Sequence, residues 1–134
     1  MAGYSKTPLA KKLGLKPNMH ALIMNAPKEY TAFFEDIPEN IDFNTPGNTQ
    51  FDFIHAFLKS KDQLQKDFFI MKNQLKPTGI LWVSWPKQKK DNNSDLSRDF
   101  IREFIFENGL VDVKVCAINE TWSALKFVYR LSDR

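Results

Sequence analysis

Trp85 and Lys87 stand in the stretch LKPTGILWVSWPKQKK, Leu75 to Lys90, where an apolar run spills into lysines. An indole beside ammonium groups can stack on a base or nucleotide and hold an anion. Lysines gather in two places: Lys6, Lys11, Lys12 and Lys16 near the start, and Lys87, Lys89 and Lys90 after the apolar run. Against that stands the ordinary reading, in which lysines form a solvated surface and Trp85 is a packing residue. Cys116 lies two residues from Lys114, and a cation lowers a thiol pKa, although a free cysteine also serves as a small buried hydrophobe. His55 sits mid-strand among Phe53, Ile54 and Phe57, the place of a hydrogen-bonded core residue rather than a general base. Asn119, Glu120 and Thr121 have the composition of a turn. No set of nucleophile, base and orienting group is visible. One cysteine and two distant histidines, His20 and His55, give no metal-ligand spacing.

The elements that must position these residues follow from local pattern. In TPLAKKLG, Thr7 can cap, Pro8 suits a first turn and Gly14 can end a short helix. MHALIMNAP reads as a strand from Met19 to Asn25, and Pro27 opens a second short helix through Tyr30, Phe33 and Phe34. IDF is a brief strand, and FDFIHAFL a longer one. Ser60 and Gln63 form a capping box for a helix whose Leu64, Phe68, Met71 and Leu75 share one face. Pro77, Thr78 and Gly79 break it before the strand ILWVSW. Ser94 caps a further helix with Asp95 and Asp99 at its positive end, a stripe of Leu96, Phe100 and Phe104, and Gly109 at its close. The segments 44–50 and 87–93 read as loops.

The tail VDVKVCAINETWSALKFVYR has strand composition twice over. Pairing its halves across Asn119–Thr121 places Val113, Val115, Ala117, Leu125 and Phe127 on one face. A shift by one residue would mix Val115 with Lys126, so the apolar pattern selects the register. The other face then carries Lys114, Cys116, Trp122 and Lys126, with Lys114 and Lys126 opposite each other. Like charges so placed repel unless an anion or a carboxylate, Glu120 or Asp112 folding back among them, lies between.

With 134 residues the chain has the size of a single domain, 1–134. Its 43% hydrophobic and 26% charged residues match a globular average and argue against disorder or a membrane class. Neither a spanning apolar run nor an apolar signal core is present, so the expected compartment is the cytoplasm. A net charge of +3 is mild for a protein that must hold a polyanion by charge alone. Strands alternating with helices imply an α/β fold with a mostly parallel, Rossmann-like sheet built from right-handed crossovers and closed by an antiparallel hairpin.

That order, with LKPTGILWV between a long helix and a strand and ENGLVDVKV before a closing hairpin, resembles the class I S-adenosylmethionine methyltransferase fold. FDFIHAF looks like its fourth strand. More narrowly, GYSKTPLAKKLGLK, LWVSWPK and VKVCAINETWSALKFVYR resemble a family of small bacterial proteins grouped as a domain of unknown function. The resemblance implies a fold and leaves the activity open. It also implies a glycine-rich turn after the first strand, where a missing side chain lets backbone approach the cofactor. This chain has NAPKEY there, without glycine, and Pro27 has no N–H to donate. Only Asp42 stands near the place of an acidic residue for ribose hydroxyls, and the chain is short by one strand–helix unit.

The reading that follows is a reduced relative without a cofactor, acting as a non-catalytic binding or interaction module, with its status as an enzyme left open. The alternatives are a divergent S-adenosylmethionine-dependent methyltransferase and a weak nucleic-acid or anion binder. Ligands of open α/β sheets gather at the carboxyl ends of the strands. The expected ligand-binding residues are therefore Asn25, Ser84, Trp85 and Lys87 at that edge, with Lys114, Trp122 and Lys126 on the hairpin. No catalytic or metal-binding residue is expected. The expected partner is a small anionic ligand or another protein, with nucleic acid ranked below them, no membrane, and an oligomeric state that the sequence leaves open.

Overall fold

The computed structural model describes residues 8–44, 50–87 and 94–134. Thr7, Lys6, Lys89 and Lys90, and most of the two loop segments, lie outside the described residues. The chain runs α1 (Leu9–Leu13), β1 (His20–Met24), a 3-10 turn (Tyr30–Phe33), β2 (Asp42–Phe43), β3 (Phe51–Phe57), α2 (Lys61–Gln74), β4 (Leu75–Pro86), α3 (Arg98–Glu107), β5 (Leu110–Ala117) and β6 (Trp122–Tyr129), with a last 3-10 turn at Leu131–Asp133.

The strands form one six-stranded sheet in the order β2-β1-β3-β4-β6-β5. β2, β1, β3 and β4 are parallel, while β6 runs antiparallel to both β4 and β5. The expected mostly parallel α/β sheet is present, and the closing hairpin makes it mixed by inserting β6 between β4 and β5.

Period-2 alternation sends alternate residues of the central strands to opposite faces. One face buries Ile54, Ala56, Leu81, Val83, Leu125 and Phe127 against Leu64, Phe68 and Met71 of α2 and Ile101 and Ile105 of α3. Each large side chain so buried contributes about 1.5–3 kcal/mol. The other face packs Phe53, Phe57, Trp82, Cys116, Trp122 and Ala124 against Ala10, Leu13, Leu15, Tyr30 and Phe34. The Trp82 indole N–H donates to the Leu13 carbonyl at 2.7 Å, which pins α1 to the middle of the sheet.

Several local readings change in detail. α2 starts as expected, since the Ser60 hydroxyl accepts from the Gln63 N–H at 3.1 Å and the Gln63 side chain accepts from the Lys59 N–H at 2.9 Å. It ends one residue early, however, because Leu75 is already extended and belongs to a twelve-residue β4. Pro77 and Thr78 sit in that strand at a register irregularity between the pairs Phe51↔Leu75 and Phe53↔Ile80. A Cβ on Gly79 would lie 3.0 Å from the Phe51 carbonyl oxygen, so only glycine lets the strands close at this point. α3 is capped by Ser97, which accepts from Phe100 N–H at 3.2 Å, rather than by Ser94, whose hydroxyl binds the Leu96 N–H. The later start turns Ile101 and Ile105 into the core and leaves Phe100 and Phe104 half-buried.

The hairpin register is the expected one near the turn, with Lys114 opposite Lys126 and Val115 opposite Leu125. A bulge between Asp112 and Lys114 then shifts it, placing Asp112 opposite Phe127. Val113 and Val115, expected in the core, are 56% and 53% exposed. β5 is the edge strand, and α3 does not cover them.

Candidate functional site

The carboxyl ends of the parallel strands align: Met24 pairs with Ala56, Phe57 with Ser84, and the end of β4 meets the start of β6 through Pro86 and Trp122. At the β1 end the chain turns through Asn25, whose φ of +58° lies in the left-handed region that L residues other than asparagine and glycine rarely enter. Asn25 is exposed and its amide donates to Asp67 of α2 at 3.4 Å. β2 ends in a second left-handed asparagine, Asn44 at φ +52°. The Asn44 side chain accepts from the Ile23 N–H at 2.7 Å and donates to the Ile23 carbonyl at 3.3 Å, clasping the edge of β1. Asp42 lies beside the start of β1, paired with His20 at 3.1 Å, so it is a strand length away from the turn.

Behind this turn lies a buried polar chain that single residues did not announce. The Tyr30 hydroxyl is 3.0 Å from His55 Nδ1, and His55 Nε2 is 2.6 Å from the Ser84 hydroxyl. His55 and Ser84 have no exposed surface, and Tyr30 is nearly as deep. Burial holds His55 down to about 3, so the ring is neutral and donates from one nitrogen while accepting at the other. Burial also pushes the Tyr30 phenol well above its ordinary value. Tyr30 packs edge-on against Phe33, Phe34, His55 and Phe57, which fastens the loop after β1 to the sheet. His55 is thus the hydrogen-bonded core residue expected. Ser84, expected to bind ligand, has its hydroxyl committed to this chain and shielded from solvent.

The other end of the same edge is built differently. An open cleft of about 360 Å³ is lined by Trp85, Lys87, Ser97, Arg98, Asp99, Val115 and Ser123. Trp85 is only 5% exposed, so the cleft meets its margin rather than a free ring face. The Lys87 N–H donates to the Thr121 carbonyl at 2.8 Å, tying the end of β4 to the hairpin turn. Asn119 organises that turn by accepting from the N–H groups of Thr121 and Trp122. Trp122 lies on the opposite face, packed edge-on to Phe57.

The expected site residues therefore separate into groups. Asn25 stands at the β1 turn, Trp85 and Lys87 at the cleft, Ser84 in the core, and Lys114, Trp122 and Lys126 on the α1 face of the hairpin. Cys116 is buried there, and burial raises its thiol pKa despite Lys12 and Lys114, which removes the case for an activated thiolate. Among the described residues no group of three or more histidine, cysteine, aspartate or glutamate side chains is placed to hold a metal ion, and no helix is long and apolar enough to cross a membrane.

Solved structures share this arrangement. The DhpI–SAH complex superposes with a TM-score of 0.61 at 10% identity, covering 92% of this chain and 82% of that one. The Burkholderia thailandensis 1,6-didemethyltoxoflavin-N1-methyltransferase, solved with S-adenosylhomocysteine, gives 0.59 at 13% identity over 90% and 74% of the two chains. The ribosomal protein L11 methylase from Lactobacillus delbrueckii subsp. bulgaricus gives 0.58 at 12% identity over 90% and 74%. The fold is that of the S-adenosylmethionine methyltransferases. No protein-family model and no curated protein matches the sequence, so the narrower resemblance to a small bacterial family rests on its sequence stretches alone.

These neighbours correct the expectation of a non-catalytic module. That expectation rested on the missing glycine after β1, yet the turn glycine would make is made by Asn25. The sheet beyond it superposes on methyltransferases over most of its length. Absence of glycine does not by itself argue against the cofactor.

Proposed function

We propose that this chain is a divergent S-adenosylmethionine-dependent methyltransferase whose cofactor site lies at the carboxyl ends of β1, β2 and β3. The observation that carries the reading is the left-handed turn at Asn25, in the position and on the sheet where the methyltransferase resemblance calls for glycine. Asn25 and Ala26 would approach the cofactor with backbone. The residues after β1 fit in shape, because the Tyr30–His55–Ser84 chain holds the loop down on β3 and β4. They depart from the pattern in polarity: Asn44, not a carboxylate, ends β2, and its side chain is occupied by Ile23. Ribose hydroxyls would therefore meet amide and backbone groups rather than a carboxylate acceptor, which favours modest affinity. Bound S-adenosylmethionine would supply an electrophilic methyl group. The cleft at Trp85, Lys87 and Arg98, further along the same edge, is where an acceptor would sit.

The test is calorimetric titration with S-adenosylhomocysteine. Saturable binding at one site is expected, retained in Asn25→Gly and weakened several-fold in Asn25→Val, because a β-branched residue resists the left-handed turn. No saturable heat in the unsubstituted protein would overturn the proposal.

A further inference from the structure

Lys114 and Lys126 are directly opposed across the β5–β6 pair. Residues so opposed hold their Cβ atoms about 4.5–5.5 Å apart, and like charges there are destabilising. The nearby carboxylates do not relieve them. Asp112 is carried by the bulge to the other face, where Arg102 takes it at 3.1 Å, and Glu120 makes no ion pair among the described residues. Further cations are brought to the same face by α1. Trp82, which pairs with Lys126 on the β4 side, binds the Leu13 carbonyl and so draws the end of α1 over this row. Ala10, Leu13 and Leu15 belong to one packed cluster with Cys116 and Ala124, and on this face the charge of Lys12 acts on Cys116 and that of Lys16 on Lys126. Partial burial, then Lys114 and Lys16, lower the Lys126 pKa, the direction expected of a cation among cations. None of the four lysines has a carboxylate partner among the described residues.

A protein gains nothing in stability from holding four ammonium groups together without a counter-charge, whereas an oxyanion set among them converts the repulsion into binding. We infer that Lys12, Lys16, Lys114 and Lys126 form a binding site for a phosphate group, on the α1 face of the hairpin and apart from the carboxyl edge. The phosphate belongs to a small phosphate ester or to a nucleic-acid strand. The site stands independently of the methyltransferase reading.

The melting temperature of the full chain in potassium phosphate, against potassium chloride at equal ionic strength and pH, tests it. A rise of several degrees in phosphate is expected, because a ligand bound only by the folded state stabilises it. In Lys114→Gln/Lys126→Met the rise disappears, while the melting temperature in chloride stays level or increases as the repulsion is removed. Lys16→Gln, at an exposed position, reduces the phosphate rise and guards against a double variant that folds poorly. Equal melting of the unsubstituted protein in the two salts, or a phosphate rise that survives in all these variants, overturns the site. A labelled single-stranded oligonucleotide separates the sources. Binding that phosphate displaces and that falls steeply with salt identifies a strand, and phosphate stabilisation without oligonucleotide binding identifies a small ester.

Discussion

The two ends of the carboxyl edge solve the problem of a site in opposite ways. At the β1–β2 end the backbone is shaped first: two left-handed asparagines, Asn25 and Asn44, turn the chain, and a buried tyrosine–histidine–serine chain fixes the loop. At the β4–β6 end the backbone is plain strand and hairpin, and side chains of Trp85, Lys87, Arg98 and Ser123 line an open cleft. A closed turn serves one constant ligand, while a cleft lined by side chains accommodates change. The proposed division into cofactor end and acceptor end follows from that difference, and the buried chain joins the two, since Ser84 lies two residues before the end of β4.

Removing the buried part of the cleft end should have the largest effect. Trp85 is packed with Val83, Leu96 and Leu125, so Trp85→Ala should cost about 3–5 kcal/mol in denaturant unfolding, as deletion of a core aromatic does. A loss below about 1 kcal/mol would show that Trp85 is a free platform instead, and would erase the contrast in construction drawn above.

The β1 end is broken through His55. His55→Leu leaves the hydroxyls of Tyr30 and Ser84 buried without partners, at about 1–3 kcal/mol each, and Tyr30→Phe/His55→Leu/Ser84→Ala should recover part of that loss. The same residue sets a pH dependence. Its pKa is lowered from 6.5 in the unfolded chain to about 3 in the folded one, so the unfolded chain binds the extra proton between those values. The stabilisation is complete above pH 6.5 and is lost as pH falls towards 3, with a slope of up to about 1.4 kcal/mol per pH unit. Unfolding curves from pH 7 to 4 should show that slope in the unsubstituted protein and a shallower one in His55→Leu. Parallel curves would mean that His55 is not held neutral by the fold.

Much of the scaffold was legible because it depends on short-range pattern. The i, i+4 and i+7 spacing of Leu64, Phe68 and Met71, the Ser60 cap and the short, β-favouring composition of ILWVSW each act within one element. The hairpin register near the turn was legible for the same reason, since only one alignment keeps Lys126 off the apolar row. What could not be read depends on distant segments. Tyr30, His55 and Ser84 meet only because β1, β3 and β4 are neighbours, and nothing local to NAPKEY says that its tyrosine will reach a histidine 25 residues away. β5 lies at the edge of the sheet, a position set by the order of distant strands, so Val113 and Val115 carried the composition of a core and the position of an edge. Asn25 was legible in part. Among L residues asparagine is one of the best able to replace glycine at positive φ, so the sequence NAPKEY is compatible with the same turn.

The most direct test of the account follows amide resonances of the isotopically labelled protein during titration with S-adenosylhomocysteine. The account predicts saturable shifts in residues 24–28, at Asn44 and in residues 57–59, with Lys114 and Lys126 unmoved. Shifts confined to the hairpin, or none at saturating ligand, would contradict the placing of a cofactor at the β1 end.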